Sequence, residues 1–182
     1  ASRSLSPCSR QPSSVTLSSS SALSWSSWGF WSPSTSSFQG ESFGGAVYVS
    51  ANPHTSLEAG DAFHRVIELW ETHFDEDAGV VPPGAVRDAA IDAYEAFPDK
   101  RLIVHFMQPH YPFIGEIGRE LVPGQNLNLW SEVAEQNISI DDARLWDAFQ
   151  ENLEIALPAV RELMDSIEGR TVVSSDHGQL MG

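Results

Sequence analysis

Apolar and polar positions follow two different regimes along the 182-residue chain. Across 1–44 serine dominates, as in SSVTLSSSSALSWSSWGFWSPSTSS, with Pro7, Pro12 and Pro33 scattered through it and no helical or strand period. Such a stretch buries too little to offset its chain entropy, so it is expected to lack regular structure. Trp25, Trp28 and Trp31 share a helical stripe, but in a serine background that disfavours a stable helix. The abrupt change of composition near Glu41 suggests a misread or out-of-frame start to an ordinary domain.

From residue 45 the pattern becomes that of a folded domain. AVYVSA (46–51) predicts a short buried strand closed by Asn52 and Pro53. The spacing of Phe63, Val66, Ile67, Trp70 and Phe74 predicts a helix over 61–74. Pro82 and Pro83 open a second helix, which runs to about Ala96 and stops before Pro98. RLIVHFM (101–107) is a continuous apolar run, as expected of a strand covered on both faces. A Gly- and Pro-rich loop follows. Ser139 and Asp142 resemble a cap for a long helix with the stripe Leu145, Phe149, Leu153, Leu157, Val160, Met164 and Ile167. Trp146 and Phe149 are expected in the core, and Pro158 is expected to kink the helix. Gly169 ends it, and TVVSS supplies a last buried strand. Strands alternating with helices at this spacing predict an α/β fold, with a mostly parallel sheet flanked by helices. The domains are therefore a serine-rich segment, 1–44, and an α/β domain, 45–182.

Charge narrows the choice of partners. All 25 acidic residues lie between Glu41 and Asp176; of ten Lys and Arg only Arg3 and Arg10 precede them, leaving eight in that region and a net charge of −17. Such a field repels nucleic acid and anionic membrane surfaces. Lys100 is the single lysine, and an acid-rich, lysine-poor surface fits a halophilic archaeon, where salt screens self-repulsion. No apolar run is long enough to span a membrane, and the N-terminus lacks the pattern of a signal peptide, so a cytoplasmic location is expected. One cysteine, Cys8, permits neither an internal disulfide nor a zinc site of its own.

Candidate chemistry gathers at strand ends. Asp176 and His177 follow the last apolar run, and ligands of open parallel sheets bind outside the carboxyl ends of strands. A carboxylate and an imidazole suit a divalent ion; the same pair is equally consistent with a loop whose Asp caps a following helix. His110, just beyond 101–107, sits between Pro109 and Pro112 beside Tyr111 and Phe113, as an anion-contacting or proton-donating residue would, or as a surface turn histidine would. His105 is expected inside the sheet, and His54 near the crevice edge. His64 and His73, nine residues apart, are expected to face solvent from a helix. GxGxxG, GxxxxGK[ST] and GxSxG are all absent.

LIVHFMQPHYPFIG, a long helix and then TVVSSDHGQLMG, together with YVSANPH, resemble segments of the alkaline phosphatase and sulfatase superfamily, closest to its haloarchaeal members, over about 45–182. The resemblance implies an alkaline-phosphatase-like fold that is incomplete here. It implies that Asp176 and His177 ligate a divalent metal ion (Zn, Mn, Mg or Ca) and that His110 contacts the phosphate or sulfate of a small-molecule or glycan ester. The implied reaction is hydrolysis or transfer of that group. The chain departs from the pattern in two places. No Asp occurs in 1–44 to serve as the early metal ligand, and Cys8-Ser9-Arg10 is not the sulfatase nucleophile pattern. No catalytic residue is therefore identified, and little or no activity is expected. The alternative is a non-catalytic relative that binds an anionic ligand or a protein partner.

Overall fold

Strands β1 (Ser14–Ser19), β2 (Phe43–Ser50), β3 (Phe63–Glu68), β4 (Arg101–Phe106) and β5 (Arg170–Val173) form one sheet in the order β3-β2-β4-β1-β5. Every pairing between them is parallel. The helices are α1 (Leu69–Thr72), α2 (Pro83–Ala96), α3 (Glu116–Leu121) and α4 (Asp142–Ser166). These elements belong to a computed structural model, which describes residues 14–19, 42–53, 55, 61–122 and 142–175. The protein is thus an α/β domain built on a parallel sheet.

Register explains how the core divides. Val47 lies beside Leu102 and Val49 beside Val104, so these four side chains share one face. There they pack with Phe106, with Val86, Ala90 and Ala93 of α2, and with Ala159 and Leu163 of α4. Alternation puts Tyr48, Ser50, Ile103 and His105 on the opposite face. Burial on both faces of β4 is what its unbroken apolar run requires. Arg87 fastens α2 to α4 by bonding Glu162, and it also bonds its neighbour Asp88 at 2.7 Å. The Arg87 hydrogen bond holds the exposed Asp88 carboxyl below its ordinary range.

Several elements depart from the sequence pattern. The helix predicted over 61–74 is instead β3 followed by the single turn α1. Cross-strand pairing outweighs the helical spacing here: Val66 and Ile67 lie beside Tyr48 and Val49, while Phe63 stacks on Phe43 at 5.2 Å and meets the edge of Tyr48 at 5.1 Å. His64 is therefore on a strand, exposed and edge-on to Phe97; His73 is exposed beside Thr72. Strand β1 falls inside the serine-rich stretch, where the sequence pattern predicts no strand, and pairs with both β4 and β5.

The stripe predicted for helix α4 holds at Leu145 and at Ile167 just beyond it, with Phe149 and Val160 partly buried, but shifts between them. Its inner face is Leu145, Ala148, Asn152, Ala156, Ala159 and Leu163, whereas Leu153 and Leu157 are each 40% exposed and Met164 is exposed too. Alanines let the helix approach its neighbours closely, which sets the inner face off from the larger leucines. Trp146, expected in the core, is exposed and stacks on Phe149. The last strand also differs from expectation. Val172 and Val173 are exposed, and β5 is an edge strand among the described residues. Gly169 does break the chain between α4 and β5, at a φ of 120° that disfavours a side chain.

Candidate functional site at the carboxyl edge of the sheet

Because all the strands run in parallel, their carboxyl ends share one edge. Central β2 and β4 end there side by side, and the backbone ladder continues one step further, with Ala51 N–H donating to His105 O at 3.1 Å. Buried Ser50 and Thr55 hydroxyls lie 2.7 Å apart, and Ser50 Oγ accepts from Asn52 N–H at 3.0 Å. These bonds close the turn after β2 without leaving the hydroxyls unpaired. His105, inside the sheet as expected, has Nδ1 2.9 Å from Tyr48 Oη.

The loop after β4 carries His110. Its backbone N–H donates to Met107 O at 3.0 Å, closing a turn as the chain leaves the strand. Gln108–Pro109 and Tyr111–Pro112 are cis peptide bonds. Tyr111 and Phe113 turn inward, edge to face at 5.4 Å, and pack with Val122, Leu145 and Ala148. The half-buried His110 ring bonds the Tyr111 carbonyl through Nδ1. A carbonyl only accepts, so Nδ1 carries the hydrogen in this bond.

The residue that holds this loop is Asn152, fully buried on α4. Its Nδ2 donates to His110 O at 2.9 Å and Pro109 O at 3.1 Å, with a longer contact of 3.4 Å to Pro112 O. Its Oδ1 accepts from Ile114 N–H at 2.9 Å. With carbonyls at one end and an N–H at the other, the orientation of the amide is determined. Next to it, Glu151 Oε2 accepts from Ile117 N–H at 2.9 Å and so caps α3. Gly115 has no side chain where that carboxylate lies. Neither Asn152 nor Glu151 was legible as a site residue. The available signal was a lone Asn between Leu145-Ala148 and Ala156-Ala159 on the helix's inner face, where a polar residue requires buried partners.

Gln108, 4% exposed, has no hydrogen-bond partner for either Oε1 or Nε2 among the described residues. It stands two residues before His110 and offers both a donor and an acceptor at the same edge. Asp176 and His177 lie outside the described residues, as does His54. The described chain leaves β5 at Val173 on the edge that bears the His110 loop. Among the described residues no three His, Cys, Asp or Glu side chains form a group able to hold a metal ion. Nor, among them, is any helix long and apolar enough to cross a membrane.

No family model, curated protein or solved structure matches the chain. What the fold defines is the class, an α/β domain with a parallel sheet and a histidine loop held at its carboxyl edge.

Proposed function

We propose that this chain is part of a metal-dependent phosphate- or sulfate-ester hydrolase or transferase domain of the alkaline phosphatase and sulfatase superfamily. In this reading His110 contacts the anionic group of the ester, while Asp176 and His177 ligate a divalent cation. The observation that carries it is the display of His110 on a loop clamped from both sides at the carboxyl edge, where open parallel sheets bind their ligands. A protonated imidazole there donates from Nε2 to a non-bridging oxygen while Nδ1 stays bonded to Tyr111 O.

A carboxylate and an imidazole are donors that suit zinc, manganese, magnesium or calcium to different degrees. The metal, when bound, would stabilise charge on the transferring group. Small-molecule and glycan esters are the substrate class. The acidic surface argues against nucleic acid, and a cytoplasmic, halophilic setting belongs to the same proposal.

Titrating the full chain with Mn²⁺ or Zn²⁺ tests the reading. One ion should bind per chain, and binding should be lost in His177→Ala. Inorganic phosphate should bind the metal-loaded protein and bind at least about tenfold more weakly in His110→Ala, a loss of about 1.4 kcal/mol. A chain that binds no metal sinks the enzyme reading. Phosphate binding without metal would favour a non-catalytic binder of anions.

A further inference from the structure

The Asn152 clamp does more than hold a loop in place. Its amide bonds the carbonyls of Pro109 and His110 on one side of Tyr111, and Pro112 O and Ile114 N–H on the other. The carbonyl it leaves out is that of Tyr111, which accepts from the His110 ring at Nδ1. The peptide units on both sides are anchored to a buried helix, and between them the Tyr111 carbonyl accepts from the imidazole. We infer that Asn152 is a positioning residue that sets the tautomer and orientation of His110, keeping the proton on Nδ1 and presenting Nε2 as the proton-exchanging nitrogen.

The inference rests on the reading of His110 as the anion contact. If the Tyr111 carbonyl turned away, the neutral ring would lose the bond that selects its Nδ1–H form, and the tautomer with the proton on Nε2 would become populated. The ring would also swing about its side-chain torsions, so its contact to an anion would lose direction. A group behind a ligand-contacting histidine acts in this way, by fixing which nitrogen bears the hydrogen.

The test is long-range ¹H–¹⁵N correlation of the His110 ring in the full ¹⁵N-labelled chain, in wild type, Asn152→Leu and Asn152→Asp. The wild type should show Nδ1 protonated and Nε2 as the acceptor nitrogen. Both variants should lose that pattern, because Leu removes the clamp and Asp, at a pH where it is ionised, removes its donor. Phosphate binding should weaken by about tenfold or more in them, the scale on which partners behind a ligating group act. A wild-type ring with its proton on Nε2 overturns the inference outright, whatever the variants do. So does a variant that unfolds more readily yet keeps the wild-type tautomer, since a merely structural Asn152 predicts that result. Phosphate titration of the Zn²⁺-loaded wild type separates the two claims. A ring that never responds to phosphate overturns the functional reading, whereas a responsive ring whose tautomer ignores Asn152 overturns this inference alone.

Discussion

Replacing Asn152 with leucine is expected to destabilise the protein by about 3–5 kcal/mol, read as a lower urea midpoint at unchanged slope. Leucine has the branching of asparagine with two methyl groups in place of the amide atoms, so the substitution opens no cavity, removes every hydrogen bond and adds some crowding. Four are lost: two short ones to Pro109 O and His110 O, the longer one to Pro112 O, and the one from Ile114 N–H. Each buried group left without a partner costs about 1–3 kcal/mol. The full sum is not expected, because several of these backbone groups are only part-buried and can be rehydrated if the loop lifts. Asn152→Asp separates the two ends of the amide. The Ile114 bond survives, but a carboxylate then faces three carbonyl oxygens. Burial and those carbonyls raise its pKa, so the folded state binds the proton more tightly than the unfolded one. The Asp variant should therefore gain stability relative to wild type as the pH falls, the direction linkage requires when the native state binds more protons. A change below about 1 kcal/mol in Asn152→Leu, the net worth of a single ordinary hydrogen bond, would mean that the loop is held by Tyr111 and Phe113 packing alone.

The parts of the fold that were legible in sequence are those where local pattern and burial agree. RLIVHF is apolar on both parities because β4 is covered on both faces, and Pro82-Pro83 opens α2 where a missing N–H costs nothing. Strand β3 was illegible because Phe63, Val66 and Ile67 satisfy a helical period while their partners, Phe43, Tyr48 and Val49, are distant in sequence. In β1, Val15 and Leu17 are too few against serine to signal a strand, which takes its place from neighbours on both sides. The α4 stripe was misplaced by size. Leu153, Leu157 and Met164 outweigh the alanines in any hydrophobic pattern, yet close packing selects the alanine face.

The candidate site divides in the same way. The position of His110 was legible because a histidine between prolines just past a strand end is a local signal. Asn152 was not, because its role depends on α4 crossing beneath a loop some forty residues earlier in the chain. Buried polar residues on an apolar helix face are the places where sequence pattern fails for a structural reason, and here that failure marks the residue that holds the His110 loop.

Gly118→Ala should destabilise the protein by about 2–4 kcal/mol, at the upper end of what overpacking costs. On propensity alone the substitution would help, since alanine is favoured over glycine in a helix interior by about 1 kcal/mol. Packing reverses the sign. A Cβ at Gly118 would lie 2.1 Å from Phe113 Cβ and 2.9 Å from its Cγ, and Phe113 is only 1% exposed. Because the nearest atom is itself a Cβ, no rotamer of Phe113 relieves the clash. The backbone of α3 must move, and that movement disturbs the Glu151 cap at Ile117 and the path from His110 into the helix. At about 2–4 °C per kcal/mol for a chain of this size, the melting temperature should fall by roughly 5–15 °C. Phe113→Leu in the same background should give no rescue, since leucine keeps the offending Cβ. Gly84→Ala in α2 is the control: its Cβ would meet nothing nearer than Arg87 Nη2 at 3.8 Å, so there alanine should be neutral or stabilising. If the two alanine variants melt alike, or if Phe113→Leu restores Gly118→Ala, then α3 is not seated against Phe113 as described, and the loop that carries His110 would need another anchor.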